Sequence, residues 1–202
     1  MDKPLPTAVP DSREAEKMAE LGAWVHPTKD QLAAMAAGCE LRFISPAIME
    51  KQPPTVDDEH ATALSLSIGE RAELDQTLRQ MHQSFAASVR QVYASGSADP
   101  TKGSSLSVQD MIEEIQGRSD SGFEQARQKL ALERAGMASP PATGADLPPG
   151  ERILRLSADL GGDFEKRLAD RLGADRARQL LYSHLASPWT NRSTQSGCPA
   201  PQ

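Results

Sequence analysis

Cysteine and aromatic residues are scarce in this chain. Among 202 residues there are two cysteines, Cys39 and Cys198, and aromatic residues make up only 4%. Two cysteines are too few for a disulfide-rich scaffold, and they lack the paired ligand spacing of a structural zinc site. The core therefore has to rest on Leu, Ile, Val, Ala and Met.

Long apolar runs and a large excess of one charge are also missing. No run approaches the ~20 apolar residues that cross a bilayer, and residues 1–10 lack the basic and apolar regions of a secretion signal. We therefore expect a soluble chain, while a membrane tether through a segment preceding Met1 is left open. The 28 acidic and 22 basic side chains give a net charge of -6 and are mixed along the sequence, which argues against nucleic acid as a partner.

Motifs for catalysis and cofactor binding are absent from the sequence. No serine lies in a Gly-x-Ser-x-Gly context, and neither cysteine has a recognisable catalytic setting. We expect a non-enzymatic protein without a cofactor. An enzyme with an unrecognised site is a third hypothesis, after the two described below.

The strongest pattern is a long amphipathic helix between Ser67 and Gly96. Ser67 and Glu70 have the spacing of a capping box, and Gly96 is a plausible helix end. Between them, apolar residues recur at steps of three or four, which places them on one helical face: Leu74, Leu78, Met81, Phe85, Val89 and Val92. The spacing predicts a continuous helix in which Leu78, Met81 and Phe85 are buried.

Further apolar segments begin with predicted caps, namely Thr28 with Gln31, Ser107 with Asp110 and Ser121 with Glu124. Together they predict an all-α fold, a helical bundle around one long central helix with irregular N- and C-terminal segments. The predicted organisation is a loosely ordered segment (1–27), a helical core (28–136), a Pro/Gly-rich linker (137–150), C-terminal helices of the same bundle (151–186) and a tail (187–202).

Two features interrupt this helical pattern. Residues 40–44 alternate polar and apolar like a strand but have no comparable partner run, so we interpret them as an extended segment lying on helices. Gly161 and Gly162 fall inside an apolar stripe, where a kink or close helix packing is expected.

The tail has no secondary-structure pattern, and Trp189 and Cys198 are its only means of docking.

One group of side chains could hold a metal ion. Asp57, Glu59 and His60 lie close together in the sequence, and His82 falls on a neighbouring predicted helix. A site assembled between the helices would make the chain a metal- or ligand-sensing regulatory domain, which is our alternative hypothesis. The default interpretation is a solvated helix start.

The segment Leu66-Ser67-Ile68-Gly69-Glu70-Arg71 resembles the Leu-Thr-x-x-Gln helix start of Spy/CpxP-like bacterial envelope proteins, with Ser67 in place of Thr and Glu70 in place of Gln. In that family the motif opens a long helix of an all-helical, often dimeric periplasmic chaperone or stress sensor. A Cys near the start and a Cys in a Trp-containing tail also resemble bacterial envelope proteins with an N-terminal anchor.

These resemblances imply a periplasmic or cell-envelope location, with the cytoplasm as the alternative. A disulfide between Cys39 and Cys198 would suit an oxidising compartment, whereas two unconnected thiols are the other reading. Our leading hypothesis is an interaction domain with a chaperone-like or stress-response role, which binds another protein or forms a homodimer.

Overall fold

The computed structural model describes residue 20 and residues 22–49, 52–96, 100–118, 122–144, 146–183, 186 and 188–196. These residues are mostly helical, as the sequence predicts. None of the described helices combines the length and the apolar character needed to cross a membrane.

The helices and strands whose ends lie within the described residues follow one another along the chain. The helices are α1 (Lys29–Ala37), α2 (Asp58–Ala63), α3 (Ile68–Gly96), α4 (Val108–Gln116), α5 (Phe123–Arg134), α6 (Pro149–Leu172) and α7 (Ala174–Leu181), with a 3₁₀ helix (Pro100–Ser104) between α3 and α4. The strands are β1 (Leu41–Pro46), between α1 and α2, and β2 (Thr190–Gln195), after α7.

Helix α3 confirms the long helix predicted from the sequence. The Glu70 N–H donates to the Ser67 hydroxyl at 3.2 Å, and the Glu70 carboxylate accepts from the Ser67 N–H at 2.8 Å. This reciprocal pair satisfies two backbone N–H groups that have no partner inside the helix. The whole predicted apolar stripe is buried, including Leu78, Met81 and Phe85.

Two other helices begin with the predicted caps, and one does not. Thr28 with Gln31 starts α1, and Ser107 with Asp110 starts α4. Helix α5 follows Gly122, which has a left-handed φ of 68° and offers no side-chain cap. The predicted Ser121 cap lies outside the described residues.

The main core lies where α3 packs against α6 and α4. Helix α6 also contacts α5, α7 and β1. A second apolar cluster joins β1, α5 and the first half of α6 and contains Leu41, Phe43, Ala126, Leu130, Leu154 and Ala158. Helix α6 therefore belongs to both clusters and holds β1 against the helices.

Residues 40–44 lie extended against α6, as predicted, but the prediction that they have no strand partner is wrong. Strand β1 has a partner, because β2 pairs with it in an antiparallel ladder that runs from Leu41↔Gln195 to Pro46↔Thr190. The tail is therefore not irregular over these residues. The sequence of β2, Thr-Asn-Arg-Ser-Thr-Gln, has no apolar alternation and therefore does not indicate a strand. It can pair with β1 all the same, because the pairing uses backbone groups that any residue other than proline supplies.

The start of the tail is anchored by Trp189. Its side chain is 1% exposed, its carbonyl accepts from the Ala47 N–H at 2.8 Å, and its ring meets His60 edge-on at 5.8 Å. The predicted docking role of this tryptophan is confirmed, and it fixes the entry into β2.

The two adjacent glycines do not interrupt α6, which runs continuously through them. The close packing expected at this place involves a strand rather than a helix. A Cβ atom on Gly161 would lie 2.4 Å from the Ile44 carbonyl oxygen, a distance that no ordinary contact allows. Gly161 therefore permits β1 to lie directly on α6.

Candidate functional site

A hollow of about 680 Å³ opens between residues 24–27, α1, β1, the end of α5 and the middle of α6. We call it the Trp24 hollow. Its apolar lining includes Trp24, Val25, Leu32, Phe43 and Ile44. Trp24, Val25 and Leu32 are partly exposed, whereas the two strand residues are buried, so the apolar surface available to a ligand comes mainly from the first three.

Charged groups line the α6 side of the Trp24 hollow. Arg134 donates to the Ala158 carbonyl at 2.8 Å and lies 3.4 Å from the Asp159 carboxylate. Burial lowers the pKa of Arg134, although Asp159 opposes this effect, and the guanidinium remains charged at neutral pH. Asp163 is exposed and makes no ion pair with any side chain in the described ranges.

Gly162 forms part of the lining beside these carboxylates. A Cβ atom placed on it would meet no described atom within 4 Å, in contrast to Gly161. Glycine inside a helix is less stable than alanine by about 1 kcal/mol. The packing of the described residues therefore gives no reason for glycine at this position.

A second hollow of about 280 Å³ lies between α3 and α6 and is called here the Phe85 hollow. Helix α6 contributes Leu156, Leu160 and Arg167, and α3 contributes Phe85. Asp159 and Asp163 line both hollows. The two carboxylates therefore stand on a ridge of α6 between two neighbouring depressions.

A hydrogen-bonded cluster holds the wall formed by residues 24–27. Glu165 on α6 accepts from Tyr182 at 2.9 Å, contacts the His26 Nε2 at 2.6 Å and lies 3.3 Å from Arg178. Burial raises the pKa of Glu165, but the hydrogen bonds from His26 and Tyr182 outweigh it and hold that pKa below its usual value. Burial, together with the Glu165 carboxylate, raises the pKa of Tyr182.

The structure distributes the predicted metal ligands over separate contacts. The His60 Nδ1 lies 2.8 Å from the Asp57 carboxylate, which also caps α2, and Glu59 follows in the exposed first turn. The His82 Nδ1 lies 2.9 Å from the Ile48 carbonyl oxygen. Within the described parts of the chain, no three His, Cys, Asp or Glu side chains are grouped so that they could hold a metal ion.

Cys39 lies just before β1 and is buried. Its φ of 48° places it in the left-handed region, which ends the turn after α1. The other predicted partner, Cys198, lies outside the described residues, so the disulfide remains a prediction.

Sequence reasoning missed the residues of the Trp24 hollow. Trp24, Leu32, Arg134, Asp159 and Asp163 come from segments that are far apart in the chain, and none belongs to a local motif. The adjacent glycines Gly161 and Gly162 were the one available indication that α6 carries something unusual at this point. Together, the lining groups offer apolar contact and two carboxylates, which suit binding.

Searches of family models, curated proteins and solved structures find no match to this chain.

Proposed function

We propose that this chain is a non-enzymatic binding domain for another protein, and that the partner binds at the Trp24 hollow. The observation that carries this proposal is an open depression of about 680 Å³ that combines partly exposed apolar walls with charged groups on α6. Pockets that combine apolar surface with a few placed polar groups are typical binding sites.

The scaffold suits this role because the hollow is built largely on regular elements. We infer a bundle arranged around α3, in which residues 28–136 and 151–186 form one unit. Support comes from the packing of α4 and α6 on α3 and from the shared core. Side chains held by helices and strands keep their positions better than side chains on loops, so little ordering is needed when a partner binds.

We place the protein in a bacterial envelope, with a chaperone-like or stress-response role. Support comes from the capping box of Ser67 and Glu70, which has the geometry expected of the Leu-Thr-x-x-Gln type of helix start, and from the predicted Cys39–Cys198 disulfide, which suits an oxidising compartment.

Photo-crosslinking in the organism that encodes the chain tests the proposal. A photoreactive phenylalanine derivative replaces Leu32, which is partly exposed in the hollow, or Gln109, which is exposed on α4 as the matched control. We expect a discrete protein adduct from position 32 only. Mass spectrometry identifies the partner, and calorimetry with the purified partner measures binding.

Three outcomes would overturn the proposal. Equal adducts at both positions, or none at position 32, would remove the hollow as the binding site. An adduct with a second copy of the chain would replace the partner with a homodimer. Stoichiometric calorimetric binding of zinc, nickel or copper that disappears in His60→Ala would favour the metal-sensing alternative.

A further inference from the structure

We propose that the Trp24 hollow recognises a segment of its partner in which an arginine or lysine side chain lies beside an apolar one. This inference rests on the proposed function and names the chemistry of the occupant. It follows from the charge of the α6 ridge, from the apolar wall opposite and from the open surface at Gly162.

The charge of the ridge favours a cation. The Asp159 carboxylate lies 3.4 Å from the Arg134 guanidinium, which neutralises part of the charge of Asp159. Asp163 has no ion-pair partner among the described side chains. One negative charge is therefore left over beside the hollow, in a chain whose net charge is -6. A guanidinium or ammonium group would neutralise this charge and donate charge-assisted hydrogen bonds to the carboxylate.

The apolar wall suits the stem of the same side chain. Trp24, Val25 and Leu32 are partly exposed and line the hollow together with the carboxylates. Long basic side chains pack their methylene groups on apolar surface and extend the charged head to a polar group. Trp24 already has the Arg42 guanidinium over its ring at 5.8 Å, so its remaining contact surface is suited to an apolar neighbour of the basic residue.

Gly162 is an independent indication that something approaches α6 here. It lines the hollow, and the described residues include none that a Cβ atom would displace. A partner backbone or side chain could lie directly against α6 only if residue 162 has no Cβ atom. Glycine commonly permits such a close approach of a ligand. The residue is then explained by the bound state rather than by packing within the chain.

A peptide selection on the full-length chain tests this inference. A random peptide library displayed on phage is selected against the immobilised protein, and the enriched peptides are synthesised and measured by fluorescence anisotropy. We expect sequences in which Arg or Lys neighbours an apolar residue. Asp163→Asn should lower their affinity about tenfold, whereas Asp170→Asn, an exposed aspartate on the same helix, should leave it unchanged.

Gly162→Ala separates binding from folding. Alanine should raise Tm by about 2–4 °C because it favours the helix, and it should lower peptide affinity because its methyl group occupies the binding surface. Gly69→Ala is the matched control, since Gly69 is an exposed helical glycine of α3 whose added Cβ atom would lie at an ordinary contact distance of 4.0 Å from the Ser67 Oγ. It should raise Tm similarly and leave the affinity unchanged.

The outcomes distinguish this inference from the proposed function. If position 32 crosslinks a protein but the selected peptides are acidic or neutral, or bind Asp163→Asn as tightly as the native chain, the proposed function stands and this inference is wrong. If Gly162→Ala does not weaken binding, the approach to α6 is wrong. If no peptide is enriched and position 32 gives no adduct, both proposals fail.

Discussion

Single residues decide how closely β1 can lie on α6, and Gly161 is the clearest case. A Cβ atom there would overlap the Ile44 carbonyl oxygen, so the strand or the helix would have to move. We expect Gly161→Ala to lower the free energy of unfolding by about 1–3 kcal/mol, because this overpacking exceeds the gain in helix propensity. Urea denaturation measures the difference.

Gly162→Ala is the control for this prediction, since it makes the same chemical change one residue further along the helix. Its expected effect has the opposite sign. If both variants were stabilised alike, the direct contact between α6 and β1 would be contradicted.

Phe85 tests the packing of α3 against α6. Its side chain is 4% exposed and borders the Phe85 hollow, where Leu156 and Leu160 of α6 lie. Phe85→Ala should lower the free energy of unfolding by ~3–5 kcal/mol, because the removed ring leaves a cavity. Chemical denaturation of this variant and of Gln83→Ala, an exposed position on the same helix, provides the comparison; a loss below about 1 kcal/mol for Phe85→Ala would contradict the burial.

Glu165 makes stability depend on pH in the acid range. Its pKa in the folded protein lies below the usual value of 4.5, since hydrogen bonds from His26 and Tyr182 outweigh the effect of burial. A lowered carboxyl pKa stabilises the fold above the unfolded-state pKa, and this contribution is lost as pH falls through the folded-state pKa. Between pH 6 and pH 3, denaturation of Glu165→Gln should therefore show a smaller loss of stability than the native chain shows.

The control for this prediction is Glu59→Gln, which changes an exposed carboxyl in the first turn of α2. It should keep the acid sensitivity of the native chain. Equal pH dependence of Glu165→Gln and the native chain would show that this cluster does not stabilise the fold.

At the scale of the elements, charged groups fasten α5 to α6. Arg155 donates to both Glu133 oxygens at 2.6 and 2.7 Å and to Glu151 at 2.7 Å, and Lys129 lies 3.3 Å from Glu151. Glu151 is 1% exposed. The hydrogen bonds that Arg155 donates to Glu133 raise the pKa of Arg155 against the effect of burial, and those to Glu151 add to the rise.

Arg155→Ala should be strongly destabilising because it leaves Glu151 buried with only the more distant Lys129 as a partner. Removing one member of a buried ion pair typically lowers the free energy of unfolding by about 3–5 kcal/mol. Lys166→Ala breaks an exposed pair with Asp170 on the same helix and should change stability by less than about 1 kcal/mol. Thermal and urea denaturation of both variants measure the contrast, and equal small effects would contradict the structural role of the network.

The elements differ in how far the sequence could predict them. Helices α1, α3 and α4 were predicted well, because caps such as Ser67 with Glu70 and a period near 3.6 are local patterns. Strand β2 was missed because its pairing depends on backbone hydrogen bonds with a segment at the other end of the chain. The Trp24 hollow was missed for a related reason: Leu32 and Asp163 line the same hollow because α1, β1 and α6, which are far apart in the chain, pack together.

At the scale of the whole molecule, the pairing of β1 with β2 joins positions that lie close in the sequence to the two cysteines. Leu41 pairs with Gln195, Cys39 lies two residues before Leu41, and Cys198 follows Gln195 by three. We therefore predict that Cys39 and Cys198 form a disulfide. It would close a loop of roughly 160 residues and stabilise the fold by on the order of 5 kcal/mol in the chain-entropy model.

Mass spectrometry under non-reducing conditions, on protein from its native compartment, measures this crosslink directly. We expect a mass two hydrogens lower than that of the reduced chain and a peptide containing both cysteines after digestion. Two free thiols would contradict the disulfide and would remove the support that it lends to an envelope location.

The pairing of β1 with β2 also affects how the protein is made. About 145 residues separate Pro46 from its partner Thr190, so at 5–20 residues per second a ribosome needs on the order of 10–30 s to supply the second strand after the first. During this time β1, which carries Phe43 and Ile44 of the hollow, has an unpaired edge that another nascent chain could join. A chain released from the ribosome before Thr190 would retain the unpaired edge of β1, whereas in the complete chain β2 pairs with this edge.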